Sequence, residues 1–279
     1  MNDAIANFAA GVIRQRMGVA VEAQIVQGQP PVLNITPLDA HPNDAFTIRF
    51  IPGWRTAEVD FIPGRFAAPL VAQMGKAASE GRSVLAAFAS ALQMRKAKLI
   101  FRVNGVDISP FNSEDWPLEW NRIELHARST PQVIEPGDIA QMHQLVIDLV
   151  VPIFGIVTAL IGVEEPEAPV MGETEGTPYQ TLVTRYERKK VSREACIQLK
   201  GLRCAACGFD FADFYGQMGA GYIEIHHTTP VSQLGPDYRI NVAMDLEPLC
   251  ANCHAMVHRR TPPLAIQDLV ALIADRNMV

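Results

Sequence analysis

The sequence predicts an α+β fold in two parts, a mixed N-terminal domain of helices and strands followed by a C-terminal ββα unit stapled by four cysteines. Three observations predict it. Short β-rich runs closed by Pro-Gly alternate with helical stretches through the first half, an acidic segment interrupts the chain near residue 164, and two Cys-x-x-Cys pairs with a group of histidines follow.

Size and composition bound the reading. A chain of 279 residues holds one large domain or two ordinary ones, and 48% hydrophobic against 19% charged residues exclude disorder as its main state. A net charge of −6 excludes a protein that coats nucleic acid through bulk positive charge but permits a local basic face. Five cysteines in a chain of this length do not make a disulfide scaffold, and their pairing points to metal in a reducing compartment. The start MNDAIANFAAGVIRQRM lacks a basic end followed by an apolar run, so a cytoplasmic protein without a membrane partner is expected.

In the N-terminal domain, residues 1–164, Phe46 to Ile51 and Glu58 to Ile62 read as strands closed by Pro52-Gly53 and Pro63-Gly64. Leu99 to Val103, Asn104-Gly105 and Val106 to Ser109 form a hairpin signal, because Asn-Gly accepts the positive φ angles of a two-residue turn. Helices are expected around Phe66 to Met74 and Ser83 to Met94, with Ser79-Glu80-Gly81 as a breaker between them. Leu149 to Val163 is an uncharged run of 15 residues, short of the ~18 to 20 that span a bilayer, and is expected as a buried helix. Trp54, Arg55, Arg65, Arg95, Lys96, Lys98 and Arg102 have the residue types of a nucleic-acid surface. The simpler expectation is core tryptophan and solvated charge, since the sequence up to Glu165 has 13 Lys and Arg against 17 Asp and Glu.

Residues 165–178 form the expected linker, where Glu165, Glu167, Glu173 and Glu175 have no basic companion. Charge then reverses. Between Arg185 and Arg203 seven basic residues, Arg185, Arg188, Lys189, Lys190, Arg193, Lys200 and Arg203, face only Glu187 and Glu194, a local +5 suited to phosphates.

The C-terminal domain, residues 179–279, holds the chemistry. Cys204-x-x-Cys207 and Cys250-x-x-Cys253 are separated by 42 residues, and two such knuckles complete a tetrahedral thiolate shell around Zn²⁺ with no open position. Such a zinc is structural. Cys196, in the helix Ser192 to Leu199, is expected as a packed thiol. Between the knuckles, Gly221 to His227 reads as a strand whose adjacent His226 and His227 point to opposite sides. His254 and His258 lie four apart on the expected helix Ala251 to Arg260 and share one face. His226, His254 and His258 are thereby able to converge on one divalent cation, while His227 stays free to take a proton from water. Asp245 is placed to fix the loop that positions His227. The chemistry that suits this layout is phosphodiester hydrolysis.

The pattern C-x-x-C, Glu224-x-His226-His227-x-x-Pro230, Asp245-Leu-x-x-Leu-Cys250-x-x-Cys253-His254-x-x-x-His258 resembles the HNH endonucleases of the His-Me finger group, in the zinc-knuckled form of bacterial restriction-type proteins. The resemblance covers about Tyr179 to Arg260 and includes Arg185-Tyr-Glu-Arg188 and the stretch from Cys207-Gly-Phe-Asp-Phe211 to Tyr215-Gly216. It implies a ββα-metal domain with His227 as general base, His226 and His254 as ligands of a catalytic Mg²⁺, Mn²⁺ or Ni²⁺, and His258 as the further ligand of colicin-type members. Glu224 matches an acidic position that helps hold a basic residue, and Asp245 stands where the motif's naming Asn stands in many members. Arg259 and Arg260, at the end of the metal-bearing helix, become phosphate-contact candidates beside the 185–203 segment. The implied function is a metal-dependent DNA endonuclease, of restriction or defence type. By architecture-level analogy the N-terminal domain serves target recognition or dimerisation, a homodimer being one route to double-strand cleavage. The alternative is a zinc-stabilised nucleic-acid-binding module that has lost catalysis, motivated by Asp245.

Overall fold

The computed structural model describes residues 1–38, 43–162, 188–228, 240–260 and 262–276. The chain divides into two compact units, Met1–Val191 and Ser192–Val279. The expected linker, residues 165–178, lies outside the described residues. Both units mix helix and sheet, which makes the fold α+β.

The first unit begins with helix α1 (Asp3–Met17), ended by Gly18 in the left-handed region at φ 74°. Four antiparallel strands follow, β1 (Val21–Val26), β2 (Val32–Pro37), β3 (Phe46–Pro52) and β4 (Ala57–Pro63), then helices α2 (Ala68–Met74) and α3 (Ser79–Met94). Next come β5 (Lys98–Val103), β6 (Val106–Asp107), β7 (Ile123–Arg128) and the helices α4 (Ile139–Leu145) and α5 (Val151–Ile161). The strands make one seven-stranded sheet in the order β1-β2-β3-β4-β7-β5-β6. Period-two alternation explains its two faces: Phe46, Ile48 and Phe50 of β3, Val59 and Phe61 of β4, and Leu125 and Ala127 of β7 are buried. The other face carries the cross-strand row Arg49, Asp60 and His126, in which Asp60 accepts from Arg49 at 2.9 Å and lies 2.7 Å from His126 Nδ1.

The hairpin expected around Asn104-Gly105 is present, with both residues at positive φ (53° and 84°) as a tight two-residue turn requires. The two Pro-Gly strand endings lie one residue later than expected, because Pro52 and Pro63 still pair with Ala57 and Phe46. Ser79-Glu80-Gly81 does not break the chain; it is the first turn of α3. A Cβ at position 81 would collide with the Ala159 carbonyl, so this glycine serves close helix packing and not a turn. The same holds at Gly155, whose Cβ would enter the Phe88 ring.

The apolar run is a buried helix, as expected, yet longer. Helical structure runs from Ile139 to Ile161, long and apolar enough to cross a membrane by length and composition alone, and every residue of α5 is buried. Pro152 is tolerated because it stands in the first turn of α5, just after a π-helical turn at Val146–Val150. Trp116 and Trp120 pack with Phe101, as core tryptophans should. Trp54 departs from that expectation and is 90% exposed.

Helix α6 (Arg188–Lys200), within which the second unit begins at Ser192, leads into the first cysteine pair and the short helix α7 (Phe211–Tyr215). Strand β8 (Glu224–His227), helix α8 (Val242–Asp245), strand β9 (Leu246–Leu249) and helix α9 (Ala251–Val257) then build the ββα frame. A further helix, α10 (Ile266–Arg276), follows α9. Leu269 of α10 joins Leu249, Val257 and three of the cysteines in one buried cluster.

Candidate metal centres

The four cysteines meet. The Sγ atoms of Cys204, Cys207, Cys250 and Cys253 all lie within 4.8 Å of one another, a spacing that fits one tetrahedral zinc. Local backbone builds each knuckle. Gly208, at φ 74°, lets its N–H turn back to Cys204 O at 2.8 Å, and Cys204 N–H donates to Phe209 O at 2.9 Å. Cys250 is the N-cap of α9, accepting from Cys253 N–H on its sulfur at 3.4 Å. The first knuckle is tied to β9 by Ala205 N–H donating to Pro248 O at 2.8 Å, so a cation here joins the start of the unit to its ββα frame. Burial raises the Cys253 thiol, as expected where four thiols crowd together. Cys196 lies apart from the shell, buried in α6 with its thiol pushed up to about 12 by burial, which makes it the packed thiol expected.

The second convergence is of imidazoles. Strand β8 brings His226 opposite Glu247, and α9 ends so that His258 caps it one turn after His254. Ring centroids are 5.4 Å apart for His226 and His254, 5.0 Å for His226 and His258, and 4.9 Å for His254 and His258. One ring nitrogen from each lies within 4.8 Å of the others. His226 is 2% exposed, and its Nδ1 is buried without a hydrogen-bond partner. Burial first, then the neighbouring His258, His254 and His227, push its pKa down to about 4, so it stays neutral with a lone pair to give. An orphaned buried nitrogen among three converging imidazoles fits a divalent cation, and the all-nitrogen donor set suits transition metals better than Mg²⁺.

Glu224 lies against this cluster. Its Oε2 lies 2.6 Å from His254 Nδ1 and its Oε1 accepts from the Tyr222 hydroxyl at 3.2 Å, so the basic group it holds is the imidazole of His254. Tyr222 is itself placed edge-on against Phe211, with ring centroids 4.7 Å apart. Residue types alone did not point to Tyr222; its place two residues before Glu224, on the same side of an extended chain, is the signal that was available.

His227 follows His226 as the last residue of β8, half-buried and outside the group of three converging imidazoles. Just beyond the strand, Thr228 N–H donates to Asp245 O at 2.9 Å. Asp245 is anchored in turn: its Oδ2 accepts from Asn241 N–H at 2.6 Å, while Asn241 Oδ1 caps α8 by accepting from Ala243 and Met244. Asn241 was not singled out, although Asn just before a helical segment is an N-cap signal. A groove of about 660 Å³ opens beside the centre, lined by His226, Thr228, Met244, Glu247 and residues of α10.

The basic segment resolves differently from the free patch its charge suggested. Arg193 donates to Ile223 O at 2.7 Å, Lys200 pairs with Glu247 at 2.6 Å, and Arg203 pairs with Asp213 at 2.6 Å. These three cations brace the unit internally. Lys190 is half-buried, Arg259 and Arg260 are exposed just beyond α9, and Arg185 with the side chains of Arg188 and Lys189 lies outside the described residues.

The family model described as HNH endonuclease matches residues 204–260, a stretch that contains both cysteine pairs, all four histidines of the frame, Glu224 and Asp245. Searches of curated proteins and of solved structures found no match.

Proposed function

From a chain whose residues 204–260 match the HNH endonuclease family and hold a four-cysteine site, we propose a metal-dependent DNA endonuclease acting on foreign or modified DNA. The observation that carries this reading is the convergence of His226, His254 and His258 beside a separate His227. His226, His254 and His258 would hold a divalent cation, which when bound would supply positive charge to the scissile phosphate and the leaving oxygen. His226 binds as a neutral ligand because burial disfavours its protonated form. Glu224, accepting from Nδ1 of His254, leaves Nε2 of that ring as the ligand atom.

His227 is the proposed general base, taking a proton from the attacking water on its neutral imidazole. Asp245 acts on it through the backbone, holding Thr228 and so the direction of the strand end. Arg259 and Arg260 are proposed phosphate contacts, joined by Lys190 and by the residues 185–189 that precede it in sequence. Arg203, already balanced by Asp213, keeps a positioning role within α7 and its knuckle. The zinc of the four-cysteine site is structural, and the catalytic ion is proposed as Mn²⁺ or Ni²⁺ ahead of Mg²⁺.

Incubation of purified protein with plasmids carrying unmodified and modified cytosine, across Mg²⁺, Mn²⁺ and Ni²⁺, tests the proposal. Metal-dependent nicking or cutting supports it. DNA binding with no product under any of the ions would favour the catalytically inactive binding module instead.

A further inference from the structure

We propose that the tip of the β3–β4 hairpin, Trp54 with Arg55, is a DNA-contacting element of the first unit, the indole stacking on a base while Arg55 and Lys98 face phosphates. The inference rests on DNA being the substrate and adds where the first unit touches it.

Tryptophan has the most apolar area to gain from burial, and the other two tryptophans obey: Trp116 is 7% and Trp120 2% exposed, against 90% for Trp54. Val133 beside it is 75% exposed, so the tip presents an uncovered apolar spot. The tip is also pinned. Gly53 N–H donates to Thr56 O at 2.9 Å, Ile134 N–H to Trp54 O at 3.2 Å, and Gln132 N–H to Arg55 O at 2.8 Å. A ring held out on a fixed backbone loses little freedom on binding.

Charge selects the occupant. Glu58, Arg128 and Lys98 stand opposite one another across β4, β7 and β5, where Arg128 pairs with Glu58 at 3.3 Å and reaches the Thr56 hydroxyl at 3.2 Å. With Arg55 these strand ends carry three cations against Glu58, and Glu135 follows Ile134 on the segment bonded to the tip, in a protein whose net charge is −6. An aromatic face among cations suits a polyanion that also offers π faces, which is nucleic acid. Elsewhere in the unit Arg95 pairs with Asp148 at 2.9 Å and Arg102 with Asp107 at 2.6 Å.

Because Trp54 alone of the three tryptophans is exposed, emission of the full-length protein open to acrylamide quenching reports on it. Oligonucleotides titrated without added divalent ion should quench that emission. Trp54→Ala should weaken binding about tenfold with the salt dependence unchanged, and Trp54→Phe should restore part of the loss. Arg55→Ala should lower the slope of log affinity against log salt by about one. Binding of DNA with Trp54 emission unaltered, wild-type affinity in Trp54→Ala, or a response to anionic phospholipid vesicles in place of DNA would overturn the inference. Plasmid cleavage separates the two readings: a wild-type protein that cuts DNA while Trp54 stays silent defeats only the hairpin, and quenching without cleavage defeats only the nuclease.

Discussion

Glu224 Oε2 sits 2.6 Å from His254 Nδ1, and this contact decides which nitrogen of His254 faces His226 and His258. A carboxylate behind a ligating imidazole fixes its tautomer and orientation. Glu224→Ala is therefore expected to weaken binding of Mn²⁺ or Ni²⁺ by roughly 10- to 100-fold while leaving bound zinc in place. Calorimetric titration of the zinc-loaded protein measures the first effect and elemental analysis the second.

His227 and His226 are neighbours in sequence with different proposed work. His227→Ala should abolish cleavage with metal and DNA binding retained, whereas His226→Ala should remove the catalytic ion as well. A His227→Ala protein that still cuts DNA in a metal-dependent way would reject the assigned base.

The four-cysteine site joins the first knuckle to α9, and three of its cysteines belong to the buried cluster that includes Leu249, Val257 and Leu269. Replacing Cys250 with Ala removes a thiolate and the cap of α9 together. That variant should lose stoichiometric zinc, and a strong chelator should melt the second unit of the wild type, because structural zinc contributes about 10 kcal/mol or more to such folds. Circular dichroism with zinc determination reads both.

Without a divalent cation, His226 makes the second unit acid-sensitive. Its folded pKa of about 4 lies below the ordinary 6.5, so between those values the unfolded chain binds more protons. The contribution is complete above about pH 6.5, falls as the pH drops toward 4, and amounts to about 3 kcal/mol. Denaturant melts from pH 7 to pH 4 should show this slope, and His226→Gln should flatten it.

Gly155 of α5 lies against the Phe88 ring of α3 with no room for a Cβ. Gly155→Ala should destabilise the first unit by about 1 to 3 kcal/mol through overpacking, read as a lowered melting temperature. Gly137→Ala, where an added Cβ meets nothing within 4 Å, is the matched control.

Much of this was legible in the residues. The Asn104-Gly105 hairpin, the β3 and β4 strands, the buried apolar helix, both knuckles and the converging histidines follow from local chemistry, since turn geometry, period-two alternation and ligand spacing are short-range properties. Ser79-Glu80-Gly81 misled because a glycine needed for close packing has the same letter as one needed for a turn.

What the sequence by itself determined is the set of chemical groups and their local spacing: four thiols in two pairs, three imidazoles able to share an ion, and a fourth next to one of them in the chain. Only the tertiary structure decided how each charge is spent. It set Glu224 on His254, Asp245 on Asn241, and Arg193, Lys200 and Arg203 on partners inside the unit, while it left Trp54 and Arg55 facing outward. Those partners lie up to 47 residues apart in the chain, and only packing brings such groups within hydrogen-bond reach.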